Sequence, residues 1–205
     1  MLFSDVPKSL RELCQWVNWR YEGKDKRKVP YQPNGKPAKS NDADTWSDLE
    51  SCLEVGKMDG VGFVFAGSDI WGIDLDCCIR EGVIDPWATE ILNQFPTYAE
   101  ISPSGNGIKI FGRGGPLPPT GRKKTIAGPP INGKFPGIEL YSKGRYFTFT
   151  GDRIGDYREV NDCGNAIADF VNQHFPYSKP TPIASNRPLT SAEDRAAAYL
   201  REFPP

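Results

Sequence analysis

The sequence predicts an α+β fold in which mixed or antiparallel sheets carry flanking helices, and three observations point to it. Short apolar or alternating runs recur at 16–21, 28–31, 61–65, 70–76, 97–102, 108–111, 138–141 and 146–150, the length and spacing of strands. Several neighbours are separated by only a few residues rich in Gly, Ser, Asn or Asp, which favours antiparallel hairpins. Between them stand stretches of helical period. In 86–95, Trp87, Ile91, Leu92 and Phe95 form one stripe, and Ile167, Phe170, Val171 and Phe175 form another.

In chain order, 9–14 reads as a short helix, followed by a hairpin of 16–21 and 28–31 around a basic turn at 23–27. Thr45 reads as an N-cap, with Asp48 three residues later, for a helix carrying Trp46, Leu49 and Leu53 up to Gly56. The runs 61–65 and 70–76 are expected to form one hairpin, with 70–76 as a central strand, and 138–141 and 146–150 another. Asp85-Pro86 is a good helix start, with aspartate as cap and proline at the first helical position. The Gly/Pro-rich stretch 112–137 reads as a long functional or mobile loop. From 177 to 189 the composition shifts to Pro, Ser, Thr and Asn, as in a linker, and Thr190-Ser191-Ala192-Glu193 is a capping box opening a further helix. The organisation expected is a domain over 1–176, a linker over 177–189 and the start of a following helical segment over 190–205, as in an N-terminal domain cut from a longer protein.

With 205 residues, 38% hydrophobic and 12% aromatic, the chain can bury one sizeable core, and 21 Gly and 19 Pro call for many turns. There is no apolar run of membrane-spanning length and no secretory pattern at the N-terminus, so a cytosolic protein with no membrane partner is expected. Cys14, Cys52, Cys77, Cys78 and Cys163 show no C-x-x-C spacing, and His174 is the single histidine. That inventory excludes zinc sites and histidine-based triads, and leaves carboxylates, Lys/Arg, hydroxyls and backbone amides to carry any chemistry.

Net charge is −1, but the charges are segregated. No Asp or Glu stands between Ile101 and Ile138, where Lys109, Arg113, Arg122, Lys123, Lys124 and Lys134 all fall. A second basic cluster, Lys24, Lys26, Arg27 and Lys28, occupies the first hairpin turn, as a solvated tip or a phosphate contact. A basic zone beside acids suits an enzyme that handles polyanions.

The acids are Asp74 and Asp76 in Gly72-Ile73-Asp74-Leu75-Asp76. Strand alternation puts both on one face, about 7 Å apart, either as solvated acids at a strand end or as a pair awaiting a cation. Glu139, between apolar Ile138 and Leu140, offers a third carboxylate. Three carboxylates complement two divalent cations, and oxygen-only donors select Mg2+ or Mn2+. Between these acids, Ser104-Gly105-Asn106-Gly107 is either a plain turn or a loop whose amides approach a phosphate, with Lys109 just beyond as a point charge.

The ordered set of Gly72-Ile73-Asp74-Leu75-Asp76, then Ile101-Ser102-Pro103-Ser104-Gly105-Asn106-Gly107-Ile108-Lys109, then Ile138-Glu139-Leu140-Tyr141 through Arg145 to Gly151, resembles the primase-polymerase domain of the archaeo-eukaryotic primase superfamily, in its phage and mobile-element versions. Lys28 to Tyr31 and Thr45-Trp46 extend the likeness to about residues 10–176. Lys109 is a departure, standing where many members carry histidine. The resemblance implies an RRM-like catalytic core, Asp74, Asp76 and Glu139 as metal ligands, and Ser104 to Gly107 with Lys109 on the triphosphate of an incoming dNTP or NTP, helped by Arg145. It further implies single-stranded DNA template and primer guided by Lys28, Arg113, Arg122, Lys123 and Lys124, and a helicase region following the domain. The activity implied is template-directed nucleotidyl transfer in replication of a phage, plasmid or other mobile element. A non-catalytic nucleic-acid-binding module of a replication initiator and a nuclease using the same carboxylates are the competing expectations.

Overall fold

The computed structural model describes residues 3–176. The expected linker and the helix beyond it lie outside the described residues. The chain opens with α1 (Lys8–Arg11), then runs through β1 (Trp16–Glu22), β2 (Arg27–Tyr31), α2 (Leu49–Leu53), β3 (Gly60–Ala66) and β4 (Ile70–Asp76). A small ribbon of β5 (Ile79–Arg80) and β6 (Val83–Ile84) leads to α3 (Pro86–Leu92), β7 (Ala99–Ile101) and β8 (Ile108–Arg113). The remainder is β9 (Arg122–Thr125), β10 (Gly137–Tyr141), β11 (Lys143–Phe149), β12 (Arg153–Ile154) and α4 (Gly164–His174). The strands form a four-stranded sheet, β11-β3-β1-β2, a six-stranded sheet, β12-β7-β8-β4-β10-β9, and the β5-β6 ribbon. Every pairing between these strands is antiparallel, in keeping with the α+β expectation. No helix among the described residues is long and apolar enough to cross a membrane.

The expected β1-β2 hairpin is present, but two others are corrected. β3 and β4 lie in different sheets, as do β10 and β11. Each short connection carries the chain across the gap between sheets, so β3 pairs with β11 and β4 with β10. The two crossings touch where Gly67 N donates to Ser142 O at 2.8 Å. Gly72 makes this stacking possible: a Cβ there would sit 2.4 Å from Phe65 Cζ and 2.5 Å from Phe147 Cε2. The helix near 50 is also corrected at its start. Asp48, not Thr45, is the cap, accepting from Ser51 N at 2.8 Å, while the Thr45 hydroxyl donates to Asp42 O. The stretch 112–137 is not one loop, because β8 continues through Arg113 and β9 adds the outermost strand beside β10.

Alternation sorts the six-stranded sheet into two faces. Ile73, Leu75, Ile108, Ile110, Ile138 and Leu140 point to the side covered by α3 and α4, where Ala88, Ile91, Phe95, Ile167 and Phe170 complete one core. Towards the four-stranded sheet, Phe111 and Tyr98 meet Phe63, Phe65, Phe147, Phe149 and Trp16 in a second, aromatic core. Gly72, Asp74, Asp76, Lys109 and Glu139 are on this second face, since directly paired residues share a side.

Candidate active site

A single row of register partners crosses the six-stranded sheet: Arg153, Glu100, Lys109, Asp74, Glu139 and Lys123. Charges alternate along it except at one step, where Asp74 and Glu139 stand directly opposite each other on β4 and β10. Their Cβ atoms are then about 5 Å apart, a like-charge juxtaposition that costs stability unless a cation intervenes. Asp76, two residues along β4, adds a third carboxylate at the same edge of the face, opposite Gly137. Glu139 is buried, and Asp74 and Asp76 are partly so.

Each carboxylate takes an ammonium group. Lys109 Nζ lies 2.8 Å from Asp74 Oδ2 and 4.4 Å from the centre of the Phe147 ring, with its side chain only 6% exposed. Lys134 Nζ lies 2.8 Å from Asp76 Oδ1. Lys123 donates to Glu139, which also accepts from the Tyr141 hydroxyl at 3.2 Å and faces Arg145 at 3.6 Å. Burial, reinforced by the charge of Asp74, pushes the Asp76 carboxyl up despite Lys134. Burial works against a charged Lys134, but its hydrogen bond to Asp76 and the nearby acids outweigh that and hold its ammonium above the ordinary range. Lys28 belongs to the same field. Burial and the positive charge of Lys109 push it down, Asp74 and Asp76 oppose this, and the Tyr146 hydroxyl pins its carbonyl at 2.6 Å.

The turn joining β7 to β8 closes on the end of β4. Gly105 N donates to Ser102 O and Ser102 N to Gly107 O, both at 2.8 Å. Gly105 has φ +75° with open space where a side chain would be, whereas a Cβ on Gly107 would meet Leu75 O at 2.9 Å. Asn106 O accepts from Cys78 N and Ile79 N, and its Oδ1 accepts from the Ser104 hydroxyl at 2.6 Å. The turn is thereby tied to the segment that follows Asp76.

Asp74, Asp76, Glu139, Lys28, Lys109, Lys123, Arg145 and the 104–107 turn are thus gathered together, although Lys109 turns to Asp74 and not outward. The other basic residues go elsewhere. Arg113 pairs with Asp69 at 2.8 Å at the opposite end of β4. Arg122 and Lys124 lie opposite Leu140 and Ile138, on the helix-covered face, and the Arg122 guanidinium donates to Thr120 Oγ1 at 2.7 Å. Sequence reasoning assigns Lys134 no function beyond its basic neighbourhood and marks Glu100 only as the acid that precedes the acid-free stretch. Glu100 is fully buried and accepts from Thr150 N, Gly151 N and the Tyr98 hydroxyl. Lys134 stood in the acid-free stretch, but Glu100 carried no local signal.

No three acidic, histidine or cysteine side chains among the described residues draw together into a metal-binding group, as each carboxylate turns to its own cation. The donor set nevertheless fits a hard divalent ion: it is oxygen-only and anionic, and it already attracts three lysine ammonium groups. A separate groove of about 490 Å³, lined by Trp19, Tyr21, Met58, Pro103 and Thr150 among others, lies beside the 104–107 turn.

No protein-family model matches the chain. Over 97% of its length it is 33% identical to a "DNA Primase-polymerase" of Nitratiruptor phage NrS-1. The chain spans 28% of that protein's length. The chain is therefore a relative, along nearly all of its length, of part of a phage DNA primase-polymerase.

Proposed function

We propose that this chain is the primase-polymerase domain of a replication protein and carries out metal-dependent, template-directed nucleotidyl transfer on single-stranded DNA. In this reading its two stacked sheets form the RRM-like core of the archaeo-eukaryotic primase superfamily. The observation that carries the proposal is the direct opposition of Asp74 and Glu139, with Asp76 beside them. A fold keeps such a like-charge contact where a cation is to be held. The similarity to a phage primase-polymerase supplies the reaction class.

Asp74, Asp76 and Glu139 would hold Mg2+ or Mn2+, which when bound supply electrostatic stabilisation of the transferring phosphoryl group and activation of a 3′-hydroxyl. The chain's own residues do the rest. The turn of Ser104 to Gly107, anchored beside Asp76, presents backbone to the triphosphate of a dNTP or NTP. Lys28 and Arg145 add positive charge at the rim, and Lys123 and Lys134, paired with Glu139 and Asp76, would offer ammonium groups to phosphates. A helicase region elsewhere in the full-length protein fits the 28% span.

Primer extension and primer-free synthesis on a single-stranded template, with Mg2+ or Mn2+, test the proposal. Wild type is expected to incorporate nucleotides, and Asp74→Ala and Asp76→Ala to lose incorporation with the fold intact by circular dichroism. Undiminished incorporation by either variant rejects it. The buried pair of Lys109 with Asp74 favours one second reading, a non-catalytic nucleic-acid-binding module in which lysine has replaced the metal. Calorimetric titration separates the two, since the module would show no metal-dependent binding of a nucleoside triphosphate.

A further inference from the structure

Between β9 and β10 the chain forms a stiff arm over residues 126–136. Ile131 and Lys134 exchange both backbone hydrogen bonds, at 2.9 and 3.0 Å. The two residues between them, Asn132 and Gly133, have φ of +50° and +79°, the backbone of a type I′ hairpin turn. Pro129, Pro130 and Pro136 restrict the chain on either side, and Ile126 N donates to Pro136 O at 2.8 Å. The arm is fastened at two further points. Arg80, paired with Asp85, donates to Pro129 O at 2.7 Å, and Lys134 at the tip reaches Asp76.

This fixed arm holds Phe135, 58% exposed, next to Lys134 and two residues before the register partner of Asp76. Ile126, at the start of the arm, packs by contrast against the core. The exposed ring offers apolar area that a ligand covering it would remove from water. The surrounding charge identifies that ligand. No acid stands between Ile101 and Ile138, and Lys123 just before the arm and Lys134 on it both reach the carboxylates. Cations for phosphates beside an aromatic face for bases is how single-stranded nucleic acid is held. We infer that the 126–136 arm is a single-strand contact, with Phe135 stacking on a base and Lys134 exchanging Asp76 for a backbone phosphate. The inference rests on the proposed function for the nature of the strand.

Fluorescence anisotropy with a labelled oligothymidylate and an abasic strand of equal length tests it, using wild type, Phe135→Ala and Phe135→Trp. Phe135→Ala is expected to weaken oligothymidylate binding about tenfold, the scale of one base stack. Its affinity for the abasic strand is expected to match wild type, and Phe135→Trp to restore oligothymidylate binding. Equal oligothymidylate affinities for wild type and Phe135→Ala, an equal loss on both strands, or no binding by wild type would each overturn the inference. The ring is exposed, so an unchanged unfolding midpoint is expected to accompany the loss. A base-dependent Phe135 effect in a protein that incorporates no nucleotides would reject polymerase activity and leave the arm's role standing. Incorporation without that effect would do the reverse.

Discussion

Burial pushes the Glu100 carboxyl up from 4.5 to about 7, while the Thr150 and Gly151 amides and the Tyr98 hydroxyl hold it from rising further. Between about pH 4.5 and 7 the folded protein keeps a proton that the unfolded chain has released. Stability therefore falls as pH rises through that window, and above it this group adds no further slope. The shift corresponds to about 3 kcal/mol. Glu100→Gln removes the titration and puts an amide N–H2 against the backbone donors, so the variant is expected to be about 1–2 kcal/mol less stable at pH 5. Its urea midpoint is expected to change less than that of wild type between pH 5 and pH 8. Identical declines in both proteins would place the titration elsewhere. The site's charge balance also depends on Glu100, since it stands opposite Lys109 and its charge draws on that lysine.

At the scale of strands, the two sheet crossings determine which residues meet. Gly72 lets Phe65 and Phe147 close over β4. Gly72→Ala drives a methyl into both rings and is expected to cost about 1–3 kcal/mol, read as a lower denaturation midpoint with reduced near-ultraviolet aromatic dichroism. An unchanged midpoint would mean that the aromatic layer can give. The same contact explains what was legible in the sequence. The existence of β3, β4, β10 and β11 is a local property, carried by alternation and apolar runs, and so are the carboxylates they bear. Whether so short a connection, three residues between β3 and β4 and one between β10 and β11, turns back or crosses to a facing sheet is not local. It depends on a glycine meeting rings from β3 and β11, the latter more than 70 residues away. A simple β3-β4 hairpin would have faced Asp74 with a β3 residue in place of Lys109 or Glu139. β9 was illegible for a related reason: Arg122 to Thr125 has no apolar alternation, and only pairing with β10 makes it a strand.

For the molecule as a whole, folding brings Asp74 and Asp76 to Glu139 across a long intervening segment that itself supplies Lys109, Lys123 and Lys134. The unfolded chain has no such gathering of carboxylates, so a divalent cation held by them, as proposed, would bind the folded state and stabilise it through mass action. At 100 times its dissociation constant the gain is about 2.7 kcal/mol, about 5–10 °C in melting temperature for a domain of this size. Mn2+ is therefore expected to raise the melting temperature of wild type and not of Asp74→Asn/Asp76→Asn. The lysines set the magnitude, because binding must first displace an ammonium from each carboxylate. Lys134 and Lys123 are the weaker competitors, their side chains 60% and 64% exposed where that of Lys109 is 6%, and removal of Lys134 leaves Asp76 facing Asp74 with less positive charge nearby. Lys134→Met is accordingly expected to lower the melting temperature without metal and to enlarge the Mn2+ shift, so that the two proteins converge at saturating Mn2+. Parallel curves with a constant offset would show that Lys134 and the cation do not compete for Asp76.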